Sequence, residues 1–320
     1  MDQVTLAICT YNNARLLDRA LAAIERQDHT SKNWSTLVID NNSTDDTAAV
    51  VDRYAAAGHI PGLRRVLECR QGLTHARRRA VAETNSEWIA LIDDDCFIAP
   101  DWVRQTIAFC HAHPQAGAIG GRTRVAWEVP PDQTVARYRA SFAEQDYGDQ
   151  PLRIQPAASP SHLVGAGLVL RRQALRDCGW LDAGILTDRS GRHLTAGGDT
   201  EIVFRIRNTG YELWYNPAMS LEHFISRHRL SVPYLCRLQR GFGQSRPICK
   251  SLQFNRQDTL AWRTHLFWDH LRMFSRVARE YLHYRVSTPH ALSPDYRIAF
   301  HFRLGQMEGA IRFLLKGYHP

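Results

Sequence analysis

The chain reads as an α/β protein: an open, largely parallel sheet flanked by helices, followed by a basic helical extension. Three observations predict this. Short apolar runs alternate with amphipathic ones through the first half, in the rhythm of βαβ units. Two of those runs, 36–40 and 88–93, end in aspartate. After Pro233 the pattern turns helical and rich in arginine.

Taken in order, Val4-Thr5-Leu6-Ala7-Ile8-Cys9 is the first strand, and Thr10-Tyr11-Asn12-Asn13 leads from it into a helix. Leu16, Leu17, Ala20, Leu21 and Ile24 recur there at helical spacing. Thr36 to Asp40 is a buried parallel strand ending in a carboxylate. Asn42-Ser43-Thr44-Asp45-Asp46 reads as a loop feeding a helix N-terminus, where small polar caps and early acids are favoured. A helix rich in Ala and Arg spans 74–84, and Trp88 to Ile92 is the next strand, closing on Asp93-Asp94-Asp95. From about 125 to 160, Pro, Gln and Asp break the periodicity, so an irregular and partly mobile stretch is expected. Order returns at Leu163-Val164-Gly165-Ala166-Gly167-Leu168-Val169-Leu170.

Composition narrows the class. The 320 residues are 44% hydrophobic and 22% charged, an ordinary globular balance. No basic n-region, apolar h-region and cleavage site open the sequence, and no apolar run approaches the roughly 18–20 residues of a membrane span. The seven cysteines form no CxxC pair, which argues against a zinc site or a disulfide framework and for a reducing cytoplasm. The net charge is +8, yet residues 221–320 carry 16 Lys plus Arg against 6 Asp plus Glu. The basic character therefore belongs to the tail, where an anionic partner would be sought.

The aspartate triplet is the first chemical signal. In open parallel sheets ligands gather beyond the carboxyl ends of strands, which puts Asp40 and Asp93 to Asp95 on one edge. Carboxylates there can hold Mg2+ or Mn2+ against phosphate oxygens, and the cation neutralises a leaving diphosphate. Four segments then fall in order: Ile8-Cys9-Thr10-Tyr11-Asn12, Val38-Ile39-Asp40-Asn41, Gly72-Leu73 with Ala76-Arg77, and Ile92-Asp93-Asp94-Asp95. Together they resemble glycosyltransferase family 2, whose catalytic domain has the GT-A fold, a Rossmann-like mixed sheet flanked by helices. The resemblance spans roughly residues 4–225.

The resemblance implies a metal-dependent glycosyltransferase using a nucleotide-diphosphate sugar, UDP-sugar favoured, in polysaccharide or glycan biosynthesis. Thr10, Tyr11 and Asn12 would line the nucleoside pocket, Asp40 would accept from the base, and Arg77 would lie near the nucleotide. Asp93 and Asp94 would contact ribose or assist the metal, and Asp95 would coordinate it. Read without the resemblance, Thr10 and Asn12 are also fit for helix caps and Arg77 for a solvated arginine.

The acceptor side follows the same pattern. Gly165 and Gly167, ahead of Arg171-Arg172, match the family's glycine-containing strand and would let substrate approach the backbone. In Thr195-Ala196-Gly197-Gly198-Asp199-Thr200-Glu201 the family usually carries Glu-Asp, whose Asp is the general base. Here Gly198 stands where the Glu would be and Asp199 keeps the base position, with Glu201 as a substitute acceptor contact. Read without the resemblance, Asp199 could instead N-cap the helix starting near Thr200. After Tyr215-Asn216-Pro217, His223 resembles an additional metal or diphosphate contact, and His228 and Arg229 could join a diphosphate clamp.

The catalytic unit would span 1–225, with a nucleotide-sugar half to about 122 and an acceptor half from 123, and 226–320 would be a helical region. Within it, 258–282 can be drawn as one helix on which Trp262, Leu266, Phe267, Trp268, Leu271, Phe274 and Tyr281 alternate with Arg263, Arg272, Arg276 and Arg279. Such a helix could pack on the catalytic unit or lie on an anionic membrane surface near a glycan or lipid-linked acceptor. The expected location is cytoplasmic, peripheral to the inner face of the cell membrane.

Two other classes stay open, a nucleotidyltransferase and a non-catalytic sugar- or nucleic-acid-binding protein. The first would be expected to carry a basic, Gly-rich loop where Thr10-Tyr11-Asn12-Asn13 stands. A nucleic-acid partner is not expected, since strand-end aspartates repel phosphate.

Overall fold

The computed structural model describes residues 3–28, 33–155, 162–186, 196–287 and 293–318. Thr195 lies outside them. In chain order the elements are β1 (Val4–Thr10), α1 (Ala14–Glu25), β2 (Trp34–Asp40), α2 (Thr47–Ala57), β3 (Arg64–Leu67), α3 (Leu73–Glu83), β4 (Trp88–Asp93), β5 (Cys96–Ile98), α4 (Trp102–Ala112), β6 (Ala116–Trp127) and α5 (Gln133–Arg137). There follow a 3-10 turn (Arg139–Phe142), β7 (Leu152–Arg153), β8 (Leu168–Arg171), α6 (Arg172–Asp177), α7 (Trp180–Ala183), α8 (Gly198–Asn208), β9 (Glu212–Ile225) and a 3-10 turn (Arg227–Arg229). Three long helices, α9 (Val232–Gln253), α10 (Leu260–Ser287) and α11 (Pro294–Lys316), close the chain.

The strands form one sheet in the order β3-β2-β1-β4-β8-β6-β9-β5, with β7 beside β9. β3, β2, β1 and β4 run parallel, whereas β8 is antiparallel to both β4 and β6, which makes the sheet mixed. Alternate side chains of β1 feed two cores. Leu6 and Ile8 pack with Leu17, Leu21 and Trp102 on one face, while Ala7 packs with Leu37, Ala76 and Leu91 on the other. A parallel strand covered by helices on both faces must be apolar at every position, which is how these runs read.

Register decides where the chemistry falls. Thr10 lies opposite Asp40 and Cys9 opposite Asp93, so the carboxylates of β2 and β4 emerge at one edge, flanking the end of β1. This is the edge at which open α/β sheets bind ligands.

Three expectations need correction. The stretch from 125 is more ordered than its composition suggests. β6 continues to Trp127, and α5 and a 3-10 turn follow. Phe142 anchors the turn in a core with Ile225, Tyr234 and Leu235, partners some 80 residues away that no local period reveals. The strand at 163–170 begins only at Leu168, because Gly167 takes φ +68°. Pro217 does not end a strand either. β9 runs through it by a bulge in which the register against β6 jumps from Asn216 to Ser220, as proline inside a sheet requires. His223 therefore sits within β9, fixed opposite Cys96 and Val125.

The terminal helices share these cores instead of standing apart. Tyr234, Leu235 and Ile298 join Phe142 and Ile225, and Cys249 joins the second sheet face. α9 and α11 cross at backbone contact. A Cβ on Gly305 would lie 2.1 Å from the Arg240 carbonyl oxygen, and one on Gly309 2.1 Å from that of Gln244. α10 buries Leu266 but leaves Trp268 52% exposed, together with Leu282 and Val286. Among the described residues no helix is long and apolar enough to cross a membrane.

Candidate functional site

A cleft of about 1120 Å³ opens over the carboxyl edge of β1 and β4 and is closed behind by α9, α10 and α11. Thr10, Tyr11, Asn12, Arg77, Asp93, Asp94, Asp95, Gly165, Asp199 and His223 all line it. Asp40, Gly167 and Glu201 do not.

The β1 end is a brace. Thr10 Oγ1 donates to Asp94 Oδ2 at 2.7 Å and Asn13 Nδ2 to Asp94 Oδ1 at 2.8 Å, so both oxygens are held by the strand-to-helix turn. Burial raises the Asp94 pKa to about 7, and the Asp95 and Asp93 charges add to that rise. Asn12 takes φ +48° and is not a helix cap. Its Oδ1 accepts from the Thr44 amide at 2.7 Å, and its own amide donates to Ser43 Oγ at 3.1 Å, tying the loop after β1 to the loop after β2. Tyr11 stands 46% exposed at the mouth.

Asp40 lies one layer deeper. Its carboxylate accepts from the Ser43 amide at 2.8 Å and pairs with Arg65 at 3.1 Å. Arg65 comes from β3, and the sequence reading passed over it. Asn41, quoted in the motif but given no role, does line the cleft. Its Nδ2 donates to the carbonyls of Glu68 and Arg70, while its Oδ1 accepts from the Gly72 amide at 2.8 Å. That bond fixes the start of α3 and thereby Arg77, which is buried with its guanidinium 3.9 Å from Asp93.

Asp95 and His223 meet across the pairing of β5 with β9. His223 Nδ1 lies 2.7 Å from the Phe142 carbonyl oxygen. A carbonyl only accepts, so Nδ1 donates to it, and the ring in its neutral form would turn an Nε2 lone pair into the cleft. That Nε2 faces Asp95 Oδ1 at 3.4 Å, and the other carboxylate oxygen pairs with the buried Arg229 at 3.0 Å. Two lone pairs directed at one point favour a cation between them. Cys96 completes the cluster geometrically, but burial drives its thiol pKa well up, and a protonated thiol is a poor ligand. Among the described residues Asp95, Cys96 and His223 lie close enough to share one ion, and the carboxylate and imidazole are the harder ligands of the three. The imidazole suits Mn2+ better than Mg2+, which takes oxygen ligands.

Asp199, which lines the same cleft, occupies the first turn of α8 behind Gly197, which takes φ +115°. Its Oδ1 accepts from the Thr200 amide at 2.8 Å, a bond that steadies the side chain at the helix start. Gly165 makes room for it: a Cβ there would lie 2.7 Å from Asp199 Oδ2. The glycine therefore admits the protein's own carboxylate. Gly167 is turned away from the cleft, and a Cβ on it would come within 2.4 Å of Leu221.

Glu201, expected as an acceptor contact, points into the interior. It is fully buried and accepts from the Ile185 and Leu186 amides, while Arg205 donates to it at 2.7 Å. It holds the backbone at Ile185 and Leu186 against α8. The cleft's rear wall adds residues the sequence did not flag, among them Arg246, His270 and Arg303, contributed by α9, α10 and α11. No local motif marks them, because only the helix packing brings them together.

Residues 5–179 match the family model described as "Glycosyl transferase family 2". Among curated proteins, glycosyltransferase AglE of Haloferax volcanii is 23% identical over 66% of this chain, which spans 64% of that protein's length. Among solved structures, the mannosyltransferase PcManGT from Pyrobaculum calidifontis, in complex with GDP-Man and Mn2+, superposes with a TM-score of 0.61 at 18% identity, covering 98% of this chain and 87% of that one. TarS 1–349 of S. aureus in complex with UDP-GlcNAc gives 0.57 at 14% identity, covering 98% and 92%. At such identities the structural likeness speaks for the fold.

Proposed function

This chain belongs to glycosyltransferase family 2, and we propose that it transfers a sugar from a nucleotide diphosphate to an acceptor hydroxyl with inversion at the anomeric carbon. The observation that carries this reading is the facing of His223 Nε2 and Asp95 Oδ1 across 3.4 Å, in a cleft that Asp199 also lines. Asp95 and His223 would hold Mn2+, which when bound supplies the positive charge that a leaving nucleotide diphosphate needs.

The chain's own groups account for the rest. Asp93, Asp94 and Asp95 alone would repel a diphosphate. The half-proton on Asp94 near neutrality, the Arg77–Asp93 contact and the Arg229–Asp95 pair temper that field. Tyr11, exposed at the mouth, offers a stacking face for the base. Asp199 would take the proton of the attacking hydroxyl, with Gly165 leaving its Oδ2 free to approach. Uridine is the favoured base by resemblance. The solved relatives bind GDP-Man in one case and UDP-GlcNAc in the other, so both bases belong in the test.

Calorimetric titration of UDP and GDP, with and without Mn2+, tests the reading. One nucleotide should bind the wild type in a metal-dependent manner, and Asp95→Ala should weaken it by about tenfold or more, the cost of one charge-assisted ligand. Binding that ignores both the metal and the substitution would defeat the proposal.

A further inference from the structure

The rear of the cleft carries more positive charge than the proposed donor chemistry uses. Arg303 of α11 lines it, with Nη1 donating to Gln306 Oε1 at 2.7 Å and touching Met273 Sδ, both neutral. Arg246 of α9 lines it too, on its exposed side. Neither guanidinium has a carboxylate within ion-pair distance among the described residues. Lys250, by contrast, is spoken for by Asp269 at 3.0 Å.

Between them lies His270 of α10, only 2% exposed, with neither ring nitrogen hydrogen-bonded among the described residues. Burial holds its pKa down to about 4. Asp269 works against that shift, while Lys250, Arg303 and Arg246 reinforce it. A neutral imidazole keeps one N–H to donate, and leaving such a donor buried and unpaired costs stability. An oxyanion seated among these three side chains would satisfy that N–H and meet two uncompensated guanidinium groups. A Cβ on Gly197 would lie 2.9 Å from Ser245 Oγ, so the stretch of α9 that carries Arg246 packs against the turn before Asp199.

We propose that the wall formed by α9, α10 and α11 is a binding site for a phosphate group carried by the acceptor, held by Arg246, Arg303 and the His270 imidazole. The inference rests on the transferase reading, because it takes the Asp199 side of the cleft as the acceptor side. Guanidinium forks match phosphate oxygens in a bidentate manner, and an imidazole N–H adds a third contact.

The test uses the full chain saturated with UDP and Mn2+, so that the donor half is filled. Glucose 1-phosphate, a short prenyl monophosphate in detergent, and glucuronate are titrated by calorimetry. At least one phosphate probe should bind, and Arg303→Ala and Arg246→Ala should each weaken it about tenfold or more, with Arg303→Lys recovering part of the loss. Binding of both phosphates points to a soluble phosphoester and binding of the prenyl phosphate alone to a lipid headgroup; either supports the site. No phosphate binding, affinities unchanged in the variants, or binding of glucuronate alone overturns it. UDP affinity should be unchanged in Arg303→Ala, and thermal unfolding of each variant checks its fold. GDP replaces UDP if the wild type binds only GDP; if it binds neither, the transferase reading fails, and the phosphate site is then judged by the same variants without nucleotide.

Discussion

Asp94 shows how one side chain can tune the cleft. It is pinned by Thr10 and Asn13, hemmed in by two like charges, and its pKa is raised to about 7. A carboxyl whose folded pKa exceeds its unfolded value favours the fold while protonated, and that contribution fades as pH rises through the folded value. Metal-free protein should therefore lose stability between pH 5 and about 8, and Asp94→Asn should flatten that slope; chemical denaturation at several pH values reads it directly. Gly165 is a second point of control. Gly165→Ala would set a methyl 2.7 Å from Asp199 Oδ2 and push the carboxylate aside. Transfer should fall by roughly 100-fold with nucleotide binding intact, since a displacement of about 1 Å in a reacting group costs that much. Asp199→Asn should do the same through chemistry, and wild-type rates of sugar transfer in that variant would refute the assignment of the base.

At the scale of elements, α8 depends on Glu201, whose buried carboxylate serves two loop amides and Arg205. Glu201→Ala strands these donors, so about 3–5 kcal/mol of stability should be lost, the range for breaking a buried charged network; urea unfolding measures it. The crossing of α9 and α11 is equally intolerant. Gly309→Leu cannot fit at backbone contact and should destabilise by more than the roughly 1–3 kcal/mol typical of overpacking. α10 combines a buried Leu266 with an exposed Trp268, Leu282, Arg272, Arg276 and Arg279, which leaves an amphipathic outer face. If that face meets anionic membranes, Trp268→Ala should reduce co-sedimentation with phosphatidylglycerol vesicles several-fold. Equal sedimentation by both forms would leave α10 a packing helix only.

For the whole molecule, legibility follows the range of the interactions. The strand-helix rhythm and the strand-end aspartates could be read because burial on both faces leaves an uninterrupted apolar run and a function-bearing terminus. Motif order also singled out Asp199 and His223, and both line the cleft. What escaped depends on partners distant in sequence. Arg65 turns Asp40 inward, the 185–186 amides claim Glu201, and Phe142 fixes the tautomer of His223. The rear wall escaped for the same reason, since Arg246, His270 and Arg303 lie more than 20 residues apart in the chain and meet only through helix packing.

The central claim is that the Asp95–His223 pair holds the cation that receives the nucleotide diphosphate, in the same cleft as Asp199. Crystals grown with Mn2+ and UDP, with diffraction recorded at the manganese edge, test this most directly. The anomalous peak should lie between Asp95 Oδ1 and His223 Nε2, touching the diphosphate oxygens, with Asp199 facing the vacant sugar site. A peak elsewhere, or a nucleotide bound outside the cleft, would contradict it.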